Sequence, residues 1–306
     1  MEKKRKLIDE FLKSCQSKGL DSKTIKAYML DLKGFAEFSN DDLSKNVLAD
    51  YLKYLKTRYK PATVKRKSMS LRAFYVFLVE NNYASENPFW KLKNKFQNIP
   101  ISTEILSNRC IKSIIDCAYA TLFYESKTKW SKMMTSRDVA VLELLAGIGI
   151  CVSEICELME DDVDLKAQTL KIGKGTKKRT VKIVDENIIF ALRTYKKHCY
   201  SEIKETGSYF INRLKNPLTD YNVRQIVDKY SVQAGYKGIT PLNFRRTFAV
   251  NLSNNETNLL DIQKTLGHSS PAVTLDFVTV NEAKQEETII ITPGLKIFMK
   301  TGKEKI

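Results

Sequence analysis

Arg245 and His268 lie within one stretch of the sequence and could contact one phosphate, and Arg246 stands beside Arg245. The stretch covers residues 240–280 and reads TPLNFRRTFAVNLSNNETNLLDIQKTLGHSSPAVTLDFVTV. A guanidinium group pairs with phosphate through a planar fork of donors, and an imidazole can donate a hydrogen bond or transfer a proton. The arginines fall on a helical pattern with one apolar face. The stretch therefore predicts a phosphate-binding element held by a packed core.

The composition of the whole chain favours a polyanionic partner. Lys and Arg number 51 and Asp and Glu number 35, so the formal net charge is +16 over 306 residues. Each phosphate that a cation neutralises releases counterions, which strengthens binding to nucleic acid. A basic surface that only keeps the protein in solution is the alternative. A membrane partner is disfavoured, because no apolar run approaches the roughly 20 residues of a membrane helix.

Chain length and cysteine pattern indicate a globular protein of the cytoplasm. A chain of 306 residues can form two domains, each with its own core. The six cysteines form no C-x-x-C pair, so neither a zinc site nor a disulfide framework is predicted. The first residues, MEKKRKLIDEFLKSC, indicate an amphipathic helix rather than a signal peptide. We therefore expect a cytoplasmic location and no metal.

Residues 1–90 have the pattern of a helical domain with one basic face. Apolar residues recur at helical spacing, and the aromatic side chains of Tyr28, Phe35, Phe74 and Phe77 are predicted to be core. Ser22 is the predicted N-cap of the second helix. The last helix carries cations that either contact DNA phosphates or are simply solvated. The candidate DNA-binding residues on it are Lys65, Arg66 and Arg72.

The remainder of the chain is predicted to form a linker, a second domain and a tail. Residues 91–108 contain Pro100 and alternating lysines and are the predicted linker; residues 109–285 form the second domain and residues 286–306 the tail. The second domain is predicted to be mostly helical. It also contains a β-hairpin on both sides of Gly173 and Gly175, with Lys174 between them. The tail contains an apolar run, residues 288–292, that needs a sheet edge to pair with.

Three segments of the second domain together resemble the catalytic domain of the tyrosine recombinases, the family of phage integrases and Xer-type resolvases. The first segment is residues 147–165, which is similar to the family's T-G-x-R-x-S-E pattern. Ser153 and Glu154 match that pattern, but Cys151 stands where the family has an arginine. The second segment is the hairpin, where Lys174 matches the family's hairpin lysine.

The third segment is residues 240–280, which resembles the end of the recombinase catalytic domain. The family's H-x-x-R pair becomes Leu242 and Arg245 in this chain. The later histidine is retained as His268, whereas the position of the nucleophilic tyrosine holds Phe277. Arg245, His268 and Lys174 are thus the retained catalytic positions, and Cys151, Leu242 and Phe277 are the lost ones.

The resemblance implies a mostly α fold with a small β-hairpin or sheet. A helical, SAM-like core-binding domain precedes a tyrosine-recombinase-type catalytic domain, and the implied partner is double-stranded DNA. In the family, a tyrosine attacks a DNA phosphate while two arginines neutralise the non-bridging oxygens. The covalent link conserves the energy of the phosphodiester, so the resemblance implies neither a metal nor another cofactor.

Phe277 has no hydroxyl group, so the sequence predicts a chain that cannot cleave DNA strands itself. Cys151 and Leu242 remove two further participants, and the loss of one preorganised charge stabiliser costs about 10² to 10³ in rate. Thr274 and Thr279 have hydroxyls, but no activating base is predicted beside either. We expect an accessory, architectural or regulatory DNA-binding factor in recombination or integration.

The binding residues of the family are better retained than its reactive ones. Lys174, Arg245 and His268 could still contact a phosphate, with a structural role for each as the alternative. A nucleophilic role for Cys151 is disfavoured, because the following residues, VSEICE, contain no arginine to cradle a phosphate. Further candidates for contact with the DNA backbone are Lys177, Arg179, Arg224 and Arg246.

Other interpretations remain open at the level of sequence. An active recombinase could take its missing groups from a partner protomer. An engineered inactive form would account for Phe277 but not for Cys151 and Leu242. An unrelated helical DNA-binding protein would not bring the retained positions together. The tail could dock on another copy of the chain or on a related recombinase, or it could fold back on its own domain.

Overall fold

Helices dominate the computed structural model of the chain, which describes residues 2–40, 42–90, 105–174 and 178–279. The chain divides into two units, Met1–Ser102 and Thr103–Ile306. The predicted fold class is confirmed, since the elements are mostly α with a small antiparallel sheet. Most of the predicted linker and all of the predicted tail lie outside the described residues. Within the described ranges, no helix is long and apolar enough to cross a membrane.

The first unit is a helical bundle closed around an aromatic core. Its helices are α1 (Glu2–Ser17), α2 (Ser22–Phe38), α3 (Lys45–Arg58) and α4 (Pro61–Glu80). Phe35 and Phe74 are fully buried and Phe77 is buried, as predicted. Tyr28 is only half-buried and packs with its ring 5.5 Å from that of Phe11. Each buried aromatic ring removes about 150 to 250 Å² from water, so these rings stabilise the bundle.

The N-cap predicted for the second helix is wrong by one residue. Asp21, not Ser22, has the extended backbone of an N-cap, and its carboxylate accepts a hydrogen bond from the backbone N–H of Lys23 at 3.1 Å. Aspartate and serine are about equally good caps. Which of the two residues caps the helix therefore depends on where the preceding turn ends, and the local sequence does not determine that position.

The second unit surrounds a central helix that is buried on nearly every side. Helix α5 (Asn108–Ala120) continues into a π-helical turn (Thr121–Glu125) and is followed by α6 (Lys129–Gly147), whose residues 135–145 are all buried. Helix α6 packs against α5 and against α8 (Glu186–Thr206), α9 (Asp220–Gln233) and α10 (Pro241–Asn254). The chain then ends its described part with α11 (Leu259–Leu266) and α12 (Pro271–Val278). A helix buried on this many sides is stable only when other helices cover it.

A short helix and a small sheet lie between α6 and α8 in the sequence. Helix α7 (Val152–Glu157) precedes strands β1 (Val163–Asp164), β2 (Thr169–Ile172) and β3 (Arg179–Lys182), which pair antiparallel in that order. The predicted hairpin is therefore present as β2 and β3, although residues 175–177 of its turn lie outside the described chain.

The register of the hairpin determines which side chains face the domain interior. Arg179 lies directly opposite Ile172, and Val181 lies opposite Leu170. Ile172 and Leu170 are buried. Because directly opposed residues project from the same face of a sheet, Arg179 points toward the interior of the unit rather than toward solvent.

Candidate phosphate-binding site

The carboxylate of Glu154 is the centre of a polar cluster inside the second unit. It accepts hydrogen bonds from Arg179, at 2.5 Å between Nη1 and Oε1 and at 3.3 Å between Nη2 and Oε2. Its Oε2 also accepts from the backbone N–H of Cys151 at 2.9 Å and lies 3.7 Å from Nη1 of Arg245. Two guanidinium groups from distant parts of the chain thus meet one carboxylate.

Glu154 is ionised in this environment. Burial by itself raises the pKa of a carboxyl group. The hydrogen bonds and the charge of Arg179, with smaller contributions from the Cys151 N–H and Arg245, outweigh that effect and bring the pKa of Glu154 below its ordinary value. The carboxylate is therefore a permanent negative charge at neutral pH.

Arg245 is buried where α10 passes the end of α11. Its Nη1 donates to the carbonyl oxygen of Gly149 at 2.8 Å, and its Nη2 donates to the carbonyl oxygen of Leu266 at 2.6 Å. Burial lowers the pKa of its guanidinium, partly offset by the neighbouring Glu154. Gly149 has a φ of +60°, and a Cβ there would lie 2.4 Å from the ring of Phe248. Only glycine lets this loop approach α10 closely enough to receive the arginine.

Arg179 reaches the same place from strand β3. Its Nε donates to the carbonyl oxygen of Thr265 at 2.8 Å, one residue before the carbonyl that binds Arg245. Its guanidinium lies directly over Gly267, which has a φ of +68°; a Cβ there would be 2.5 Å from Nη1. The two arginines are therefore held by consecutive carbonyls at the C-terminal end of α11, where unpaired carbonyl oxygens are available.

Cys151 occupies the position at which the resemblance places an arginine. It is the N-cap of α7, and its Sγ lies 3.2 Å from Oγ of Ser153. Burial, followed by the negative charge of Glu154, raises the pKa of the thiol above its ordinary value. The neutral thiol is a poor nucleophile, so the environment of Cys151 also disfavours a nucleophilic role.

His268 follows immediately after the segment that holds the two arginines. Its Nδ1 lies 3.0 Å from Oγ1 of Thr274, and its ring lies 4.7 Å from the ring of Phe277 at an interplanar angle of 61°. The expectation that no base lies beside Thr274 was therefore wrong. Thr274 is nevertheless fully buried, so its hydroxyl cannot reach a DNA phosphate. Thr279 donates its hydroxyl hydrogen bond to the carbonyl oxygen of Leu275 at 2.8 Å.

Lys174 lies at the rim of a cleft that reaches Glu154. The cleft has a volume of about 280 Å³, and its charged lining includes Glu154, Glu157, Lys171, Lys174 and Lys178. The Nζ of Lys174 is 3.4 Å from Oε2 of Glu157, and its side chain is 75% exposed. The structure thus brings Arg245 and Arg179 into one cluster, with His268 next along the chain and Lys174 on the same cleft as their carboxylate.

The other cationic candidates lie in different settings. Arg246 donates from Nη2 to the carbonyl oxygen of Thr279 at 3.0 Å, and Arg224 is exposed on α9. Leu242, at the position where the family has a histidine, is exposed on α10. Lys177 lies outside the described residues. In the first unit Arg72 is exposed and Lys65 is half-buried.

Arg66, a further candidate on α4, is bound within its own unit. It donates from Nη2 to Asp31 at 2.9 Å, and Lys67 and Ser70 donate to the same carboxylate. Asp31 is buried, whereas the side chain of Arg66 remains 50% exposed. The Asp31 cluster and the inward position of Arg179 were missed in the sequence, since both depend on how helices and strands meet. The alternation of apolar residues along β3 was the one available signal for Arg179.

Comparison with known proteins extends the likeness over almost the whole chain. The model of the phage integrase family matches residues 113–284, and that of the phage integrase N-terminal SAM-like domain matches residues 7–85. A tyrosine recombinase of Agathobacter rectalis is 35% identical over 290 residues, which cover 92% of this chain and 94% of the relative. Tyrosine recombinase XerC of Pediococcus pentosaceus is 31% identical over 282 residues, with 87% and 90% covered.

Solved structures share the fold at lower identity. A lambda integrase dimer bound to a COC′ core site superposes with a TM-score of 0.68 at 17% identity, covering 94% of this chain and 80% of that one. XerH recombinase bound to its palindromic difH substrate gives a TM-score of 0.67 at 20% identity, covering 83% and 75%. The integrase family's model spans more than half of this chain, and relatives above 30% identity span most of it. The chain therefore belongs to the phage integrase family, the family of the tyrosine recombinases.

Proposed function

We propose that this protein binds double-stranded DNA and holds it without cleaving the strands itself, as an accessory, architectural or regulatory factor in recombination or integration. The observation that carries the proposal is Phe277, which places a ring without a hydroxyl beside His268 where the family has its nucleophile. Cys151 and Leu242 stand at two further positions of lost chemistry. Electrostatic affinity for DNA does not depend on any of these three, because phosphate contacts position a protein without requiring reaction.

The retained residues have roles in binding under this proposal. Arg245 and His268 contact a DNA phosphate in the second unit, and Lys174 contacts it from the hairpin. Additional contacts to the DNA backbone come from cations on both units; these are Lys65, Arg66, Arg72, Lys177, Arg179, Arg224 and Arg246. The net charge of +16 supports a large electrostatic share in the binding.

The proposal is tested by selecting duplexes from a random pool with the full-length protein and then measuring affinity against salt. We expect sequence-selective binding that weakens by about 10³-fold or more between roughly 50 and 200 mM salt, as for a protein with several phosphate contacts. No strand breakage should accompany binding. Failure to bind any duplex at the lower salt concentration would overturn the proposal.

A second candidate function is an active recombinase whose missing groups come from a partner protomer. The observation that favours it is the 35% identity, over 92% of this chain, to a protein named a tyrosine recombinase. Assembly of several copies of the chain on DNA would suit this candidate, since lambda integrase, which shares the fold, has been solved as a tetramer bound to a Holliday junction. Contact of residues 286–306 with another copy or with a related recombinase belongs to this candidate. If a protein truncated after Val280 assembled on DNA as the full-length protein does, the proposed contact of the tail with another protein would be refuted.

A further inference from the structure

A short loop before α9 holds a leucine out into solvent. The loop consists of residues 211–217, INRLKNP, and its two ends, Ile211 and Pro217, pair as an antiparallel bridge. Leu214 lies in its middle and is 74% exposed, which makes it the most exposed large aliphatic residue of the described chain. Single apolar residues are common on protein surfaces. The meaning of Leu214 therefore depends on how the loop holds it.

Asn212 fixes the conformation of the loop. Its side-chain oxygen accepts hydrogen bonds from the backbone N–H of Leu214 at 2.8 Å and of Asn216 at 3.1 Å. Its own backbone N–H donates to the carbonyl oxygen of Asn216 at 2.7 Å, and its carbonyl oxygen accepts from the N–H of Lys215 at 3.0 Å. Leu214 would have to break these bonds to fold down onto the domain. The leucine is therefore held outward by a preorganised turn.

Lys215 anchors the loop to α8 in a strained conformation. Its φ is +60°, in the left-handed region that residues with a Cβ rarely adopt. Its Nζ lies 3.7 Å from Oε1 of Glu202, whose side chain is only 10% exposed and whose Oε2 has no hydrogen-bond partner among the described residues. A strained residue persists where its surroundings impose it, and such residues concentrate at binding sites.

The charges around the loop favour a polyanion as its partner. Residues 208–219, SYFINRLKNPLT, contain no Asp or Glu, and Arg213 and Lys215 flank Leu214 on both sides. Arg213 is exposed, as is Arg224 on the helix that follows the loop. Proteins that deform duplex DNA combine cations that bind phosphates with an apolar side chain that enters between two base pairs. The loop carries both kinds of group on neighbouring residues.

We propose that Leu214 is a wedge that enters one base step of the bound duplex, partly unstacks it and bends the DNA. The inference rests on the proposed DNA-binding function and adds to it the means by which the chain would shape a duplex without cutting it. Burial of a leucine side chain stabilises a complex by a free energy of the same order as the cost of unstacking one step. A rigid loop adds little ordering entropy to that cost.

The shape of the bound DNA tests the wedge directly. A duplex recovered by selection with the full-length protein is labelled with 2-aminopurine at one A·T pair after another, since this adenine analogue fluoresces more strongly when it is unstacked. Energy transfer between dyes at the two ends of the same duplex measures its bend. With the unmodified protein we expect a fluorescence rise confined to one step and a bend of at least about 20°.

The variants separate the apolar side chain from the electrostatic contacts. Leu214→Ala should lose the fluorescence rise and straighten the duplex. The slope of log affinity against log salt (the salt slope) should stay the same, because no charge is removed. Leu214→Phe, which keeps a large apolar side chain, should retain the rise and the bend. Leu260→Ala is the matched control, because Leu260 is also exposed, at 58%, but lies on α11 rather than on a rigid loop.

Two results would overturn the inference while leaving the proposed function intact. One is a duplex that the unmodified protein binds with every step stacked and without a bend. The other is a fluorescence rise and a bend that persist unchanged in Leu214→Ala. If the unmodified protein binds no duplex, the proposed function itself fails, and this inference fails with it.

Discussion

Phe277 and His268 meet edge to face, with 4.7 Å between their ring centroids and 61° between their planes. His268 is held on its other side by Thr274, whose hydroxyl lies 3.0 Å from Nδ1. The position at which the family has its nucleophile is thus in contact with a retained histidine. Phe277 itself is half-buried against the cluster of Phe248, Leu252 and Leu266.

The first prediction concerns the missing hydroxyl. Phe277→Tyr should form a covalent adduct with a nicked suicide duplex, because the tyrosine would stand beside His268 and a pocket that still binds phosphate. Adding Leu242→His should raise the rate of adduct formation by about 10²-fold, as expected for a restored proton-transfer group. The adduct is measured by denaturing gel electrophoresis. Phe277→Leu is the control and should give no adduct. If neither tyrosine variant gave an adduct, the pocket would lack the geometry for strand cleavage as well as the reactive side chains.

The second prediction concerns the stability supplied by Arg245. Arg245→Ala removes its hydrogen bonds to two carbonyl oxygens and one cation beside a buried carboxylate. Glu154 keeps Arg179 as its partner, so the loss comes mainly from the two buried carbonyl oxygens left without a donor. Each of them should lower the free energy of unfolding by about 1 to 3 kcal/mol. Arg224→Ala, an exposed change on α9, should alter it by no more than about 0.5 kcal/mol. Urea unfolding measures both variants, and equal stability would contradict the buried role of Arg245.

The third prediction uses two glycines with similar backbone conformations. Gly267→Ala places a Cβ 2.5 Å from Nη1 of Arg179, whereas Gly235→Ala meets no atom within 4 Å. Their φ angles are +68° and +85°, so each substitution carries a backbone cost of about 1 to 2 kcal/mol. Only Gly267→Ala should also displace Arg179 and reduce the salt slope of DNA binding. If the dependence of DNA affinity on salt were the same in the two variants, the contact between Gly267 and Arg179 would not matter for DNA binding.

The fourth prediction concerns the pH dependence of stability. Burial, slightly offset by the hydrogen bond from Tyr119, raises the pKa of Glu143 from 4.5 to about 7. The folded state therefore holds a proton that the unfolded state releases, so this group favours folding at pH 4.5 and progressively loses that contribution as the pH rises to 7. The loss is about 1.4 kcal/mol per unit of pKa difference, as an order of magnitude.

Glu143→Gln tests this assignment, because glutamine keeps the shape of the side chain without titrating. Urea unfolding at several pH values between 4.5 and 8 should show a weaker decline in stability with rising pH than in the unmodified protein. Glu125→Gln, on the π-helical turn where Glu125 is exposed, is the control and should leave the decline as it was. If stability fell with rising pH as steeply in Glu143→Gln as in the unmodified protein, a group other than Glu143 would be responsible for the decline.

The sequence predicted the fold well because helix periodicity and strand alternation are local signals. The apolar spacing in α2, α3 and α4 and the alternation around Gly173 appear in the structure as helices and a hairpin. The site was harder to predict. The direction of Arg179 depends on its register opposite Ile172, and the contact between His268 and Thr274 depends on the turn between α11 and α12. The alternation along β3 was a local signal for the side of the strand on which Arg179 lies, but the contact between His268 and Thr274 has no signature in residue type or spacing.

The most direct measurement of the central claim uses the unmodified protein and a suicide duplex built on its selected binding site. Such a duplex carries a nick next to the scissile phosphate, so that any covalent protein–DNA link becomes irreversible. The proposed function predicts a salt-sensitive complex and no covalent adduct by denaturing electrophoresis and mass spectrometry. An adduct attached to this chain would contradict it, and the attachment residue would identify the nucleophile that acts in place of Phe277.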